Sequence, residues 1–292
     1  MHVSVLLRET LEFLNVRRDG VYIDATLGSG GHAEAILTRL GEGRGKLLGI
    51  DQDPAALAMA RERLARFREQ AILMAGNFAE IEALHRASGL PAADGVLADL
   101  GVSAMQLDDA SRGFSFMREG PLDMRMDPEA ELSAREIVNQ TPERELADLI
   151  FKFGEERHSR RIARAIVKAR PFRKTTELAQ VVTRAIPSRA GLHQIHPATR
   201  TFQALRIAVN RELESLERFL AAIPSVLARG GRIVILSYHS LEDRRVKQTF
   251  QSWQREGRAR ILTRKVVRPS PEEVEINSRS RSAKLRAAEK NS

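Results

Sequence analysis

Short apolar runs alternate with amphipathic stretches through the first hundred residues of this chain. The apolar runs have the length of strands, and the stretches between them carry apolar residues at intervals of three and four. The pattern predicts strands at Val21–Ile23, Lys46–Ile50, Ala71–Met74 and Gly95–Ala98. It predicts the helices between them at Ala33–Leu40, Pro54–Phe67 and Ala79–Ser88. This alternation indicates an α/β fold, with a parallel sheet covered by helices.

The alternation stops near Gln106, and helical spacing predominates from there to Thr199. Helices are predicted in this region at Ala134–Gln140, Pro142–Phe153, Ser159–Ala169 and Thr176–Ala185. Apolar residues then recur every three or four positions over 202–223, which predicts one long helix, and Arg232–Ser237 resembles a buried strand. We therefore expect a sheet domain in two parts that is interrupted by an all-helical domain, with bounds 1–105, 106–199 and 200–292.

Composition indicates a basic globular protein. Charged residues make up 29% and apolar residues 42% of the chain, and the net charge of +9 favours a polyanionic partner such as nucleic acid. Cysteine is absent, which excludes disulfides and thiolate metal sites and suits a reducing compartment. The first nine residues do not resemble a signal peptide, and no apolar run approaches the roughly 20 residues of a membrane span. We expect a cytoplasmic protein that does not bind a membrane.

Candidate ligand-binding residues are densest in Asp24–His32, between the first predicted strand and helix. A Gly-x-Gly-x-x-Ala motif begins at Gly28, and Asp51 follows about 20 residues later, where a dinucleotide fold places its ribose-binding acid. Asp24 argues against a dinucleotide, because its carboxylate would repel a pyrophosphate and attract a cation. S-adenosylmethionine has a ribose, no phosphate, and positive ammonium and sulfonium groups. We therefore interpret the turn as a methyl-donor site.

Polar residues follow the other predicted strands as well, and the carboxyl ends of parallel strands share one edge of a sheet. Asp99 begins the segment Asp99–Ser103, for which an ordinary turn with a helix-capping Asp or Ser is the alternative interpretation. His239 follows the fifth strand, and Ser240 with Asp243 predicts a capping box at the start of the next helix. No His or acidic spacing predicts a strong metal site.

Basic charge is concentrated in residues 157–174 and 255–292. The first segment has eight Lys or Arg and no acid, and one helical stripe contains Arg157, Arg161, Arg164 and Lys168. A solvated helix face is the usual meaning of such a run, but two acid-poor clusters favour a surface that binds a phosphate backbone. Phe114 and Phe116 lie in a polar loop, where they would either stack on a base or pack beneath the loop.

Eight segments, in one order from about His2 to Arg286, resemble the bacterial 16S ribosomal RNA cytosine-N4 methyltransferases, often called RsmH or MraW. They are Asp24–His32, Asp94–Ser103, Arg112–Phe116, Pro121–Asp127, Gly154–Arg157, His196–Ile207, His239–Arg244 and Arg279–Arg286. The resemblance implies a Rossmann-like methyltransferase sheet with an inserted helical domain. It implies methylation of a cytosine in the decoding centre of the small ribosomal subunit. It places the donor site at Gly30, Gly31, His32, Asp51, Phe78, Asp99 and Gln106.

The sequence departs from this family at three positions, each next to one of these segments. Ala33 and Ala104 stand where Ser is expected, and Tyr238 stands where Phe is expected. The exocyclic nitrogen of cytosine is a poor nucleophile, so the site must position it and accept its hydrogen bonds, and no metal is required. Asp99 is the first candidate acceptor, although it would equally hold the ammonium or adenine of the donor. Ser103 and His239 are further catalytic candidates. The target base must be unpaired or flipped.

Three other classes of protein remain open from the sequence. A nicotinamide dehydrogenase would share the glycine turn and Asp51, but it leaves Asp24 and the basic surface unexplained. A DNA amino-methyltransferase would use the same donor on a different substrate. A ribosome-assembly factor with a vestigial pocket would bind RNA without turnover. The sequence leaves the oligomeric state undetermined.

Overall fold

The computed structural model describes residues 4–186 and 196–291. Residues 187–195, within the expected helical insertion, and residues 1–3, where the family resemblance begins, lie outside this part. The chain forms two compact units, one made of Met1–Gly101 with Leu213–Ser292 and the other of Val102–Glu212. A helical unit is therefore inserted into a sheet unit, with bounds of 102 and 212 in place of 106 and 199. In the described part, no helix is both long and apolar enough for a membrane span.

The sheet unit contains seven strands, of which the first five are parallel. Their bounds are β1 Val21–Asp24, β2 Lys46–Asp51, β3 Ala71–Ala75, β4 Ala93–Asp99, β5 Leu227–Ser237, β6 Ala259–Ile261 and β7 Lys284–Lys290. The order is β3-β2-β1-β4-β5-β7-β6, with β7 antiparallel to both of its neighbours. The five strands expected from the apolar runs are confirmed, and β6 and β7 are additional.

The helices follow in chain order through both units. The first four, in the sheet unit, are α1 Leu7–Leu14, α2 Gly31–Leu40, α3 Pro54–Arg63 and α4 Ile81–Ser88. The helical unit contains α5 Ala104–Asp108, α6 Ala134–Gln140, α7 Glu143–Gly154, α8 Ser159–Ala169, α9 Thr175–Ala185 and α10 Thr199–Val209. The chain returns to the sheet unit with α11 Glu212–Val226, α12 Ser240–Arg255 and α13 Pro271–Ile276.

Alternating residues of the central strands fill two separate cores, one on each face of the sheet. In β4, Val96 and Ala98 pack with α11 and α12, whereas Leu97 points to the opposite face. In β5, Ile233 and Val234 divide between the two cores in the same way. Because both faces are buried, the middle residues of β1, β2 and β4 are mostly apolar, and their polar side chains lie toward the strand ends.

The prediction of one long helix over 202–223 is wrong. The chain breaks between α10 and α11 at Arg211, whose φ of 49° lies in the left-handed region. Asn210 stabilises this break within the helical unit, because its side-chain amide donates to the carbonyl of Met124 and its oxygen accepts from the amide of Met126. The apolar residues of α10, including Leu205, belong to the core of the helical unit. The three- and four-residue spacing of apolar positions in α10 continues into α11, so the sequence pattern does not show where one helix ends and the next begins.

Candidate active site at the carboxyl edge of the sheet

The glycine turn after β1 is shaped by left-handed backbone at two positions. Gly28 has φ 51° and Gly30 has φ 81°, which other residues adopt only with strain. A Cβ built on Gly28 would meet no atom within 4 Å, so the turn leaves open space beside its backbone. Gly30 precedes the first residue of α2, and the amino-terminal end of that helix therefore faces the same edge of the sheet.

Asp51, the last residue of β2, joins the glycine turn to the second strand. Its Oδ2 accepts a hydrogen bond of 2.7 Å from the amide of Gly28, and its Oδ1 accepts one of 2.9 Å from the amide of Asp53. Burial raises the pKa of Asp51, and these amide donors oppose that rise. A carboxylate has about four acceptor positions. Because the amide of Gln52 is a third backbone donor to Asp51, about one acceptor position remains for a ligand while Asp51 keeps the turn in place.

Asp24, the last residue of β1, is almost completely buried. Its Oδ1 accepts a hydrogen bond of 3.3 Å from the amide of Thr26, and its Oδ2 has no hydrogen-bond partner in the described part of the chain. Burial raises the pKa of Asp24 to about 7, while the nearby His32 opposes the rise. An unpaired buried carboxylate is unfavourable unless a cation or donor completes it. The unpaired Oδ2 is therefore a candidate contact for a positive ligand atom.

Asp99, the last residue of β4, is held by both neighbouring strands. Its amide donates to Oγ1 of Thr26 at 2.6 Å, and its carboxylate Oδ1 accepts a hydrogen bond of 2.7 Å from the hydroxyl of Tyr238. Tyr238 immediately follows β5. Neither Thr26 nor Tyr238 is predicted as a site residue from the sequence pattern. One feature of the sequence could have indicated a role for Tyr238: the family resemblance predicts Phe at this position, and the hydroxyl is the difference.

His32 lies in the first turn of α2 and is buried. Its Nε2 lies 3.0 Å from the carbonyl oxygen of Val5, so this nitrogen carries the hydrogen that it donates. The other nitrogen, Nδ1, lies 3.6 Å from Oδ2 of Asp99. The structure thus brings together Asp24, Asp51 and Asp99 at one edge, as their positions at strand ends predicted, and His32 lies beside Asp24 and Asp99. Gly31 packs closely against Ser4, next to the Val5 that contacts His32, since a Cβ on Gly31 would come within 2.3 Å of Oγ of Ser4.

Phe78 follows β3 and is partly buried. Its ring packs edge-on against Phe219 of α11, with 5.3 Å between the ring centroids. Asn77, just before it, accepts the amide of Ala79 and donates to the side chain of Gln52 at 2.8 Å. These contacts hold Asn77 and Phe78 in place at the carboxyl end of β3.

Ser103 and Gln106 lie in the helical unit, where they form a reciprocal capping box at the start of α5. Oγ of Ser103 accepts the amide of Gln106, and the side chain of Gln106 accepts the amide of Ser103, both at 3.2 Å. The helix-capping interpretation of Ser103 therefore accounts for its contacts. Ser103 stays a catalytic candidate, and Gln106 stays a candidate for the donor site.

His239, the third catalytic candidate, is the N-cap of α12. Its Nδ1 accepts the amide of Glu242 at 3.4 Å, and the carboxylate of Glu242 accepts the amide of His239. The expected capping box of Ser240 and Asp243 is therefore wrong by one residue. Because His239 and Glu242 are both buried, the imidazole serves first to begin the helix.

The basic stripe predicted over residues 157–168 coincides with α8 from Ser159 onward. Arg161, Arg164 and Lys168 are exposed on this helix, opposite its buried side of Ile162, Ala163 and Ile166. Arg157 is also exposed, but it precedes the helix, which corrects its place on the stripe. Nε of Arg164 lies 3.5 Å from the carboxylate of Glu143, and both groups are solvent-exposed, so this pair contributes little stability.

The second basic segment, 255–292, is partly neutralised inside the sheet unit. Arg260 pairs with Glu289 at 2.8 Å, and Arg286 pairs with Asp243 at 2.7 Å. The first segment is therefore the stronger candidate for binding phosphates.

The two loop phenylalanines belong to the core of the helical unit. Phe114 is buried, so packing beneath the loop explains it and base stacking does not. Phe116 is partly buried and lies 4.9 Å from the ring of Phe202 and 4.6 Å from the ring of His196, measured between centroids. These contacts favour packing over base stacking for Phe116, and part of its ring remains accessible.

The parallel strands β1 to β5 with the antiparallel β7, the glycine turn after β1 and the acid at the end of β2 form a Rossmann-like sheet with a candidate ligand site at its carboxyl edge. The model of the MraW methylase family matches residues 1–291, and the chain belongs to that family. Methylases of this family are dependent on S-adenosylmethionine. The fold and the family expected from the sequence are thereby confirmed.

Two curated relatives cover nearly the whole chain. The ribosomal RNA small subunit methyltransferase H of Syntrophobacter fumaroxidans is 52% identical over 307 residues, covering 99% of this chain and 96% of the relative. The protein of the same name from Koribacter versatilis is 54% identical over 295 residues, covering 98% and 93%. The solved structure of an rRNA methylase from Streptococcus thermophilus aligns over 100% of both chains with a TM-score of 0.47 and 11% identity.

Proposed function

We propose that this protein transfers a methyl group from S-adenosylmethionine to the exocyclic N4 amine of a cytosine in the decoding centre of 16S ribosomal RNA. The observation that carries the proposal is an identity above 50%, over nearly the full chain, to two proteins named as small-subunit ribosomal RNA methyltransferases. The position of the cytosine comes from the family resemblance of the sequence motifs. The small ribosomal subunit, or its RNA, is the proposed partner.

The residues at the carboxyl edge of the sheet fit the donor. The unpaired Oδ2 of Asp24 suits a positive group, and the remaining acceptor position of Asp51 suits a ribose hydroxyl. Open space beside Gly28 lets a ligand approach the backbone of the turn. When bound, S-adenosylmethionine supplies a methyl group on a positively charged sulfur. In our proposal Gly30, Gly31, His32, Phe78 and Gln106 complete the donor site.

Asp99 is the proposed acceptor for the target amine. The lone pair of this nitrogen is delocalised into the cytosine ring, so a hydrogen bond from the amine to a carboxylate increases its electron density as the new bond forms. Asp99 has the necessary rigidity, because Thr26 and Tyr238 hold its backbone and its carboxylate. The alternative role for Asp99 is a contact to the donor. Ser103 and His239 are weaker catalytic candidates, since each is already engaged in capping a helix.

The exposed basic residues of α8 are the proposed RNA contacts. Arg161 and Lys168 have no ion-pair partner within residues 4–186 and 196–291, and the partner of Arg164 is weakly held at the surface. Arg157 extends the same positive surface beyond the start of the helix. Such cations bind phosphates without reading sequence, so they would orient the RNA while the sheet unit selects the base.

The decisive experiment is nucleoside mass spectrometry after incubation with isotopically labelled S-adenosylmethionine. The substrates are small subunits that lack the modification, free 16S ribosomal RNA, and duplex DNA. We expect labelled N4-methylcytidine in the small subunit or its RNA. The Asp51→Ala variant, assayed at the same donor concentration, is the control for transfer that depends on this site.

Each competing class predicts a different product. Label on duplex DNA alone would indicate a DNA methyltransferase, and label on the ring carbon of cytosine would exclude N4 chemistry. RNA binding without any transfer would indicate an assembly factor. Oxidation of a nicotinamide cofactor would indicate a dehydrogenase. Any of these results would overturn the proposal.

A further inference from the structure

Tyr238 contributes the donor in a hydrogen bond that joins the ends of β4 and β5. Its hydroxyl lies 2.7 Å from Oδ1 of Asp99. Neighbouring backbone bonds fix both partners, since the amide of Leu100 donates to the carbonyl of Leu236 at 3.0 Å. The carboxylate of Glu242 accepts the amide of Tyr238 at 2.9 Å, so the start of α12 holds the tyrosine in place. The contact is part of a rigid frame.

The hydroxyl of Tyr238 remains a donor over the whole physiological pH range. Burial, together with the neighbouring carboxylate of Asp99, raises the pKa of Tyr238 well above its ordinary value. Packing alone does not require this hydroxyl, because a phenylalanine ring would fill nearly the same volume. The oxygen must therefore be explained by what it contacts, and its described partner is Asp99.

We propose that Tyr238 is a positioning residue whose hydroxyl holds the carboxylate of Asp99 in one orientation and keeps it ionised. This inference rests on the proposed function, in which Asp99 contacts either the target amine or the methyl donor. A hydrogen bond to one oxygen restricts rotation of the carboxylate. It also stabilises the charged form, which alone can accept hydrogen bonds at both oxygens.

Ionisation of Asp99 needs such support because of the charges around it. Above its pKa of about 7, Asp24 at the end of β1 carries a negative charge that opposes the negative charge of Asp99. His32 of α2 lies 3.6 Å from the opposite oxygen and favours the carboxylate only when protonated. The other groups that face Tyr238 are both acidic, Glu242 of α12 and Glu273 of α13. Tyr238 supplies a neutral donor whose effect does not depend on the protonation of His32.

The test compares Tyr238→Phe with Tyr22→Phe. The chain has two tyrosines, and the hydroxyl of buried Tyr22 accepts the amide of Arg17 at 2.8 Å and donates to the carbonyl of Asn15. Tyr22→Phe therefore removes a hydroxyl from the same unit without a bond to Asp99. Carbon-13 NMR of labelled aspartate would follow the titration of Asp99 in the ligand-free protein, with Asp99→Asn used to assign its signal.

We expect Tyr238→Phe to raise the pKa of Asp99 by about one pH unit, the effect of losing one hydrogen bond to a charged acceptor. The acid limb of the pH profile of kcat/KM should move upward by the same amount, while RNA affinity stays unchanged. Tyr22→Phe should move neither quantity. An unchanged Asp99 titration in Tyr238→Phe, or equal shifts in the two variants, would overturn the inference.

The two proposals fail in different ways. If the wild-type protein transfers no methyl group to small-subunit RNA, the proposed function is wrong, and the NMR titration still decides whether Tyr238 controls Asp99. If methyl transfer occurs and the titration of Asp99 is the same in Tyr238→Phe as in the wild type, the proposed function stands and the positioning role of Tyr238 is wrong.

Discussion

The two units use their buried polar side chains differently. In the helical unit these side chains mainly satisfy backbone groups, as when Thr175 accepts the amide of Gly120 and donates to the carbonyl of Arg118. In the sheet unit, buried or partly buried groups contact one another, as Asp99 contacts Tyr238 and His32, and Asp24 keeps one oxygen unpaired. Polar groups that complete backbone hydrogen bonds stabilise a fold, whereas a buried carboxylate with an unpaired oxygen, such as Asp24, is a candidate for contact with a ligand.

The distribution of charge shows the same contrast. The helical unit exposes its cations on α8 over an apolar core, while the sheet unit concentrates carboxylates at the ends of β1, β2 and β4. We therefore expect substitutions in the sheet unit to affect donor binding and transfer, and substitutions on α8 to affect RNA binding alone. The following predictions test this separation, beginning with the largest effect.

Asp99→Asn should lower the single-turnover rate of methyl transfer by about 10²–10⁴-fold, the usual range for a positioned acid–base group. The amide keeps the size of the side chain but removes its charge. RNA affinity should stay nearly constant, because the proposed phosphate contacts are made by the cations of α8. Rapid-quench assays at saturating donor measure the rate, and calorimetry measures donor affinity in parallel. An equivalent fall in donor affinity would reassign Asp99 to the donor, and a normal rate would remove it from catalysis.

Asp51→Ala should weaken S-adenosylmethionine binding by roughly 1.5–3 kcal/mol, because hydrogen bonds to a charged acceptor are lost. Calorimetry in the presence of a chelator tests this and also tests binding without metal. Some of the loss will come from the turn, since the amide of Gly28 loses its partner. Undiminished affinity would remove Asp51 from the donor site.

Arg161→Ala with Arg164→Ala should weaken RNA binding and leave donor affinity unchanged. Each lost phosphate contact should lower the log–log slope of affinity against salt by about 0.7–0.9. The matched control is Arg61→Ala with Arg68→Ala, which removes two exposed cations from the sheet unit. If the control pair lowers the slope equally, the effect reflects net charge and α8 is not a specific surface.

Asp24 should make donor binding dependent on pH. Its pKa of about 7 means that the ligand-free site holds a proton at lower pH, which a cation must displace. Affinity for S-adenosylmethionine should rise about fivefold between pH 6 and 7 and level off above that range. Asp24→Asn, which cannot ionise, should bind more weakly and lack this rise. A parallel pH dependence in both proteins would assign it to another group.

The raised pKa of Asp24 also affects the stability of the ligand-free protein, but in the opposite direction: stability decreases as pH rises. Because the folded state raises the pKa of Asp24, folding retains a proton that the unfolded chain releases above pH 4. Stability should therefore fall as pH rises from about 4 to 7, and the difference between wild type and Asp24→Asn should change across that window. Denaturant unfolding at several pH values measures it.

Much of the sheet unit could be predicted from the sequence, because strand ends carry polar residues and their shared edge follows from parallel topology. The positions of Asp24, Asp51 and Asp99 were found in this way. The contact between Tyr238 and Asp99 could not be, since it depends on how far two strands extend across the sheet. The return to the sheet was misplaced, because the apolar spacing of α10 runs on into α11 and only Arg211 interrupts the helical backbone.

The position of the insertion between β4 and β5 has a consequence for folding during synthesis. β4 pairs with β5, so a chain leaving the ribosome presents an unpaired edge of β4 until the whole helical unit has been made. Helix pairs joined by short loops, such as α7 and α8, close without that delay. We expect pulsed hydrogen exchange during refolding to protect α7 and α8 before β4, and simultaneous protection would show that the units fold as one. Until the residue after β5 has been made, Asp99 lacks the hydroxyl of Tyr238, so this contact forms only late in synthesis.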